Sequence, residues 1–423
     1  MKKINKLAIY GGKSIRTIPF PPHNPVIGPE EIKAITKVLK SRRLSIFSGS
    51  KVREFEKAFA KYHKCRFAIA TSSGTAALHC SIAASKIGPG DEVIVPISTF
   101  ISTPMSVLHQ NAIPRFVDVS INDGNIDPKK IKNAINKRTK AIIPVHLRGN
   151  PCDMDEIMKI AADYKLVVIE DACQAHGASY KGKKVGTIGD LGCFSFFETK
   201  NMTAGGEGGM VITNDKELAR RARLMVHLGE CYLDGTPSTE SVDYSQRVHY
   251  ATIGWNYRMT EIQAAIGLVQ LNKLDSFVEK RRKNAGYLIR HIKNIPGLGI
   301  PSIPKYSKPA FYIFPFFVED MLITRDDLYK ALIAEGIPAS IPYYTLLNEN
   351  PLFLDKVGYG NTKCPFYCRS YNKNFRHYNG EFPVVREIYS KSILLRVDPN
   401  LGINEMRDTV KAIEKIVSFY RKE

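Results

Sequence analysis

The chain has 423 residues, enough at about 100–200 residues per domain for two or three domains with full cores. Hydrophobic residues make up 44% and charged residues 24%, which excludes a disordered or fibrous chain, and no apolar run approaches the ~20 residues of a membrane span. Lysine and arginine number 61 against 41 aspartates and glutamates, a net charge of +20; the basic residues are dispersed at helical spacing with few aromatics, so solvated helix faces are expected rather than a nucleic-acid surface.

At the N-terminus the apolar stretch Leu7 to Tyr10 is too short for a signal peptide, and the expected location is the cytoplasm. From residue 29 the pattern alternates helix and strand. Pro29 opens a helix with Ile32, Ile35, Val38 and Leu39 on one face, and Val52, Phe55, Phe59 and Tyr62 mark a second. Short apolar runs follow at 66–71, 92–96, 115–119, 140–145, 166–170, 192–197 and 209–213, most of them separated by amphipathic stretches. That rhythm predicts an α/β fold with a mainly parallel sheet between helix layers. A long helical region follows Thr260, and residues 296–309 hold four prolines and read as a linker. The expected division is an N-terminal segment with a large α/β domain over 1–295 and a smaller α+β domain over 296–423, interrupted by an irregular insertion at 355–380. The eight cysteines, without a secretory signal, read as reduced thiols. Cys364, Cys368 and His377 lack a fourth ligand at a finger-like spacing, so no metal site is expected.

Ligands of open α/β sheets bind at the carboxyl ends of the strands, so the residues after each run carry the functional reading. Run 66–71 enters Ser72-Ser73-Gly74-Thr75 and a helix, where open backbone N–H groups cradle an anion or where the hydroxyls are plain N-caps. Run 166–170 enters Asp171-Ala172-Cys173-Gln174; a carboxylate at a buried strand end needs a positive partner, either a protein cation or a cationic cofactor ring. Run 192–197 enters Glu198-Thr199-Lys200 and the glycine turn 205–209, where partial burial favours the uncharged, nucleophilic amine. Two decoys are set aside. Gly177 to Lys184 nearly matches a phosphate-binding loop but ends in Lys, and Gly186, Gly189 and Gly192 lack a leading GxG. A phosphate cradle, a strand-end carboxylate and a lysine, in that order, are what pyridoxal phosphate requires.

The segments GTAAL (74–78), GPGDEVIVP (88–96), FVDV (116–119), RTKAIIPVHL (138–147), IEDACQAHGA (169–178), FSFFETKNMTAGGEGG (194–209) and GWNYRMTEIQAAIG (254–267) together resemble the pyridoxal-phosphate-dependent aminotransferases of keto sugars and cyclitols, the DegT/DnrJ/StrS family, across essentially the whole chain. The resemblance implies the aspartate-aminotransferase fold and assigns roles. Lys200 is implied as the Schiff-base lysine, and Asp171 as the partner of the pyridine nitrogen. Gln174 is implied at the ring hydroxyl, Phe100 stacked on the ring, and Gly74, Thr75 and Ser195 around the phosphate. Asn256 is implied to reach the phosphate of a neighbouring subunit's cofactor, which makes the expected protein a homodimer with shared active sites. The expected reaction is ping-pong: an amino-acid donor, glutamate or glutamine, gives its amino group to a keto sugar, with or without a nucleotide, or to a keto cyclitol. Related dehydratases of this scaffold replace the lysine by His, and a non-catalytic regulator would be marked by loss of the lysine, aspartate or glutamine. Three departures stand out: GGEGG for the usual GEGG, Leu347 where relatives usually have His, and the 355–380 insertion. They fall where acceptor specificity is usually decided.

Overall fold

A computed structural model of the chain describes residues 6–239, 246–319, 322–342, 345–371 and 380–421. The seven apolar runs become the seven strands of one sheet: β1 (Phe67–Thr71), β2 (Glu92–Pro96), β3 (Ile113–Val117), β4 (Thr139–Ile142), β5 (Val167–Asp171), β6 (Leu191–Ser195) and β7 (Gly209–Thr213). Their order is β1-β7-β6-β5-β4-β2-β3, and β7 alone runs antiparallel to its neighbours. All but β7 therefore release their following loops at the same end of the sheet. These strands are nearly continuous apolar sequence because helices cover both faces.

Helices α1 (Pro29–Ser41), α2 (Lys51–His63), α3 (Gly74–Ala84), α4 (Ser102–His109), α5 (Pro128–Ala134), α6 (Met154–Tyr164) and α7 (Lys216–Val226) supply the cover. Helix α8 (Glu261–Ile292) starts at Thr260, whose side chain accepts from Gln263 N–H while Gln263 reaches back to the Thr260 N–H, a capping box. Its 32 residues span about 48 Å. Leu271, Leu274 and Val278 enter the core of the large sheet, whereas Ala285, Leu288 and Ile292 enter a second core.

That second core surrounds a four-stranded antiparallel sheet of Leu298–Gly299, Phe314–Val318, Ser392–Leu395 and Ala339–Ser340, in that order. Helices Arg325–Ala334 and Ile403–Tyr420 pack on it. The packing divides the chain differently from the sequence boundary at 295/296. Leu7, from the N-terminal segment, is buried in the second core, while Leu346, Phe353, Phe366, Tyr371, Val385 and Ile388 are buried against the large sheet's helices. Hydrophobic burial joins segments far apart in sequence, and a linear reading does not register that. The apolar face of α1 also differs from expectation: Ile32 and Leu39 are 61% and 52% exposed in the protomer. Among the described residues no helix is long and apolar enough to cross a membrane.

Candidate active site

The site is assembled at the carboxyl end of the sheet. Asp171 is the last residue of β5 and 5% exposed. Thr103 Oγ1 donates to its Oδ2 at 2.8 Å and the Cys173 N–H to its Oδ1 at 3.1 Å. Thr99 Oγ1 lies 2.8 Å from Thr103 Oγ1 and extends the network. No cation pairs with Asp171 among the described residues. Its neighbour Glu170 shows what a fully satisfied buried carboxylate looks like: it is bound by His146 Nε2 at 2.9 Å and by the N–H groups of Gly186, Ile188 and Gly189 at 2.7, 2.6 and 2.6 Å. The glycine-spaced decoy at 186–192 is thus a loop folded around Glu170. Glu170 is structural; Asp171 is left with capacity for a positive ligand. Burial, and then the Asp171 charge, push the Cys173 thiol well above its ordinary range, which leaves it an uncharged wall.

Gln174 follows three residues later, half-buried. Its Oε1 accepts from the Arg148 N–H at 2.8 Å, which fixes the amide's orientation and leaves its Nε2 donor for a ligand oxygen.

Strand β6 ends at Ser195, 8% exposed, and β1 ends before Gly74 at the start of α3. A side chain at Gly74 would come within 2.6 Å of Ser195 Cβ and 3.0 Å of Cys173 Sγ, so only glycine lets the helix start approach the ends of β5 and β6. Thr75 Oγ1 and Ser102 Oγ are 2.7 Å apart. This brings Gly74, Thr75 and Ser195 together at the N-terminus of an eleven-residue helix, a setting for an oxyanion.

Lys200 sits in a loop closed at its base. The Phe196 N–H donates to Gly208 O at 2.7 Å and the Glu198 N–H to Gly206 O at 3.1 Å, while the Gly205 and Gly206 N–H groups both donate to Thr203 Oγ1 at 3.2 Å. The extra glycine of GGEGG, Gly205 before the Gly206–Gly209 GEGG, is accommodated with φ of 87°. Lys200 Nζ lies 4.7 Å from the centroid of the Tyr312 ring, and Tyr312 Oη is 3.0 Å from Thr199 Oγ1. Beside the lysine opens a small cleft whose lining includes His23, Asn24, Glu198, Arg281 and Asp398. Burial lowers the His23 ring below its ordinary range, with Asp398 acting against the shift.

Phe100, in the loop after β2, is 54% exposed. Asn256 is exposed too, and its side chain makes no bond to its own protomer's Gly74–Thr75 turn among the described residues. The adjoining Tyr257 carbonyl does accept from the Ser72 N–H at 2.7 Å. The described part of the insertion, 355–371, lies at the other end of the sheet: Tyr371 Oη donates to Asp91 O at 2.8 Å, and the Arg138 guanidinium reaches Tyr371 O at 3.2 Å. Asp91 and Arg138 precede β2 and β4, so the described part of this segment lies away from the site of its own protomer. Leu347 packs partly buried against the same core. Cys364 and Cys368 are half-buried and in no disulfide among the described residues, and His377 lies outside the described residues. Sequence reasoning missed Thr99, Thr103, Arg148, Tyr312 and His23. Only Thr103 had a local signal, standing one turn after Phe100 at the start of α4.

Sheet order, the lone antiparallel strand and a lysine loop facing a buried strand-end carboxylate define an aminotransferase-type α/β protein. Residues 25–373 match the DegT/DnrJ/EryC1/StrS aminotransferase family, and the chain belongs to it. It is 42% identical over 291 residues to a GDP-perosamine synthase of Caulobacter vibrioides, covering 68% of this chain and 75% of that one. Among solved structures it superposes on an aminotransferase of Psychrobacter cryohalolentis with a TM-score of 0.84 and 34% identity, covering 95% and 100% of the two chains. The NtdA protein of Bacillus subtilis, solved with bound cofactor PMP, matches with a TM-score of 0.79 and 29% identity over 95% and 86%. The protein is a pyridoxal-phosphate-dependent aminotransferase.

Proposed function

We propose that this aminotransferase moves an amino group from an amino acid, glutamate or glutamine, to a keto sugar carried on a nucleotide, with a keto cyclitol as the alternative acceptor. The observation that carries the site assignment is Asp171: a buried carboxylate with no protein cation among the described residues, followed by a glutamine whose Oε1 is taken by the Arg148 N–H. The Gly74 cradle, which a single Cβ would fill, fits a phosphate. The nucleotide-sugar acceptor is supported by the perosamine synthase relative.

When bound, the cofactor supplies an electron sink that weakens the bond between the donor's α-carbon and its hydrogen. Asp171 would hold the proton on the pyridine nitrogen, and a charge-assisted bond of that kind contributes about 1.5–3 kcal/mol. Thr103 keeps the carboxylate aimed. Gln174 Nε2 would donate to the ring hydroxyl, Phe100 would stack on the ring, and Gly74, Thr75 and Ser195 would hold the phosphate. Lys200, as a free amine, would take the proton from the donor's α-carbon and hold it for return. The exposed α1 face and exposed Asn256 support a homodimer in which each chain completes the other's phosphate site. We place the protein in the cytoplasm.

The purified protein is expected to absorb visible light, to lose that band with borohydride, and to carry the label on Lys200. L-glutamate or L-glutamine alone should bleach the band in a single turnover, and one member of a panel of nucleotide-linked keto sugars should restore it. A label on another lysine would overturn the site; a panel in which only keto cyclitols work would overturn the sugar acceptor.

A further inference from the structure

Arg148 is the charged side chain at the site with the least explanation. It stands in the turn after β4 with φ of 57°, a non-glycine residue in the left-handed region. Such a conformation costs on the order of 1 kcal/mol and persists where the surroundings fix it. Here they do. The Arg148 N–H donates to Gln174 Oε1 at 2.8 Å, and its carbonyl accepts from the Tyr312 N–H at 2.9 Å. Tyr312 is the residue whose ring lies against Lys200 Nζ. The backbone of Arg148 is therefore bonded both to Gln174 and to the residue beside the lysine.

The guanidinium is half-buried and makes no hydrogen bond or ion pair among the described residues. Desolvation lowers it from its ordinary range, and the Tyr389 phenol is the acidic group that acts against the shift. Tyr389 Oη is 3.0 Å from Ser98 Oγ, two residues before Phe100. The other arginines near Lys200 are only partly engaged: Arg281 donates to the carbonyls of Phe311 and Tyr312 while its Nε has no partner, and Arg396 pairs with Asp398 at 2.9 Å while one of its terminal nitrogens has none among the described residues. Arg148 is left with donors in a rigid fork and no acceptor among the described residues; its backbone joins Gln174 and Tyr312, and it also lines a second cleft with Leu147, Asn150, Ser302 and Phe311. A desolvated guanidinium of this kind is stabilised by a ligand that brings the missing negative charge.

We propose that Arg148 binds an oxyanion of the substrate, first of all the α-carboxylate of the amino donor. That carboxylate is one bond from the carbon whose proton Lys200 carries, so it must lie beside the lysine. The Gly74 end of the site is filled by the cofactor phosphate, which leaves the Gln174 side. The diphosphate of a nucleotide-linked acceptor offers the same chemistry. The inference rests on the reading above that Lys200 and Gln174 flank the cofactor ring.

Its test uses the holoenzyme with Arg148→Met, which keeps the bulk without the charge, and Arg148→Lys, which keeps the charge without the fork. The half-reaction is followed by the visible band with L-glutamate, and in reverse with 2-oxoglutarate on the aminated cofactor; UDP, GDP and dTDP serve as competitors. Arg148→Met should retain the cofactor band and raise the half-saturating concentrations of glutamate and 2-oxoglutarate by about 10–100-fold, with Arg148→Lys in between. Unchanged glutamate kinetics with weakened competition by a nucleoside diphosphate would assign the oxyanion to the acceptor instead. Unchanged values in both arms, with an active wild type, would overturn this inference alone. A wild type that fails the half-reaction would overturn the site reading with it.

Discussion

At the scale of single residues, function follows from which buried polar groups are already satisfied. Glu170 and Asp171 are adjacent, both buried, and opposite in consequence: four donors close the first, two position the second. Thr103 is the donor that sequence left weakly marked: it stands one turn after Phe100, but a threonine in the first turn of a helix also reads as an ordinary helix residue. Thr103→Val preserves shape and removes that hydrogen bond. Turnover is expected to fall about 10–100-fold, as for loss of one hydrogen bond to a charged group. The pH titration of the cofactor's visible band should shift as well, while Thr103→Ser restores both. Wild-type turnover and titration in Thr103→Val would make the hydroxyl a helix-capping detail. Lys200, Asp171 and Gln174 were legible because strand-end position and residue type coincide. Arg148 and Tyr312 were not, because what makes them part of the site is a backbone contact across 164 residues (312 − 148).

At the scale of elements, the strands were legible because burial on both faces makes each a continuous apolar run. β3 begins at Ile113, two residues before the expected 115, because Ile113 already pairs with Glu92 of β2. The helices α2 and α3 carry a cost that the alternation did not show. His63, on α2, is 3% exposed with its ring 4.2 Å from that of Phe59 and 4.7 Å from that of Phe194. His79, on α3, is 2% exposed, 3.2 Å from Tyr257 Oη and 2.9 Å from Gln110 Nε2. Burial lowers the two rings to about 3 and about 4, against 6.5. Below pH 6.5 the unfolded chain takes up these protons and the folded chain does not, so stability falls as pH drops toward 4. Each histidine contributes a slope of up to about 1.4 kcal/mol per pH unit. Urea midpoints measured from pH 7 to pH 4.5 should show this loss, and His79→Gln should flatten it. An unchanged slope in that variant would mean that the ring is not held neutral by its packing.

At the scale of the whole molecule, the question is whether one chain suffices. The protomer gathers the cradle, carboxylate and lysine by itself, yet leaves Asn256 and the Ile32 and Leu39 side chains of α1 turned to solvent. If Asn256 completes the phosphate site of a second chain, each working site needs Lys200 from one chain and Asn256 from the other. Lys200→Ala homodimers should be inactive. Asn256→Asp homodimers should bind the cofactor poorly, because a carboxylate beside a phosphate repels it in a partly desolvated pocket. Refolding the two variants together in equal amounts should give mixed dimers as about half the total under twofold symmetry. In each mixed dimer the asparagine variant supplies Lys200 and the lysine variant supplies Asn256, so one site is intact and the other carries both defects. About a quarter of all sites should therefore regain activity. If Asn256 acts within its own chain, no mixed site is intact and mixing restores nothing. Mixed dimers confirmed by mass spectrometry, with no regained activity, would sink the shared-site assignment and leave Lys200 in place.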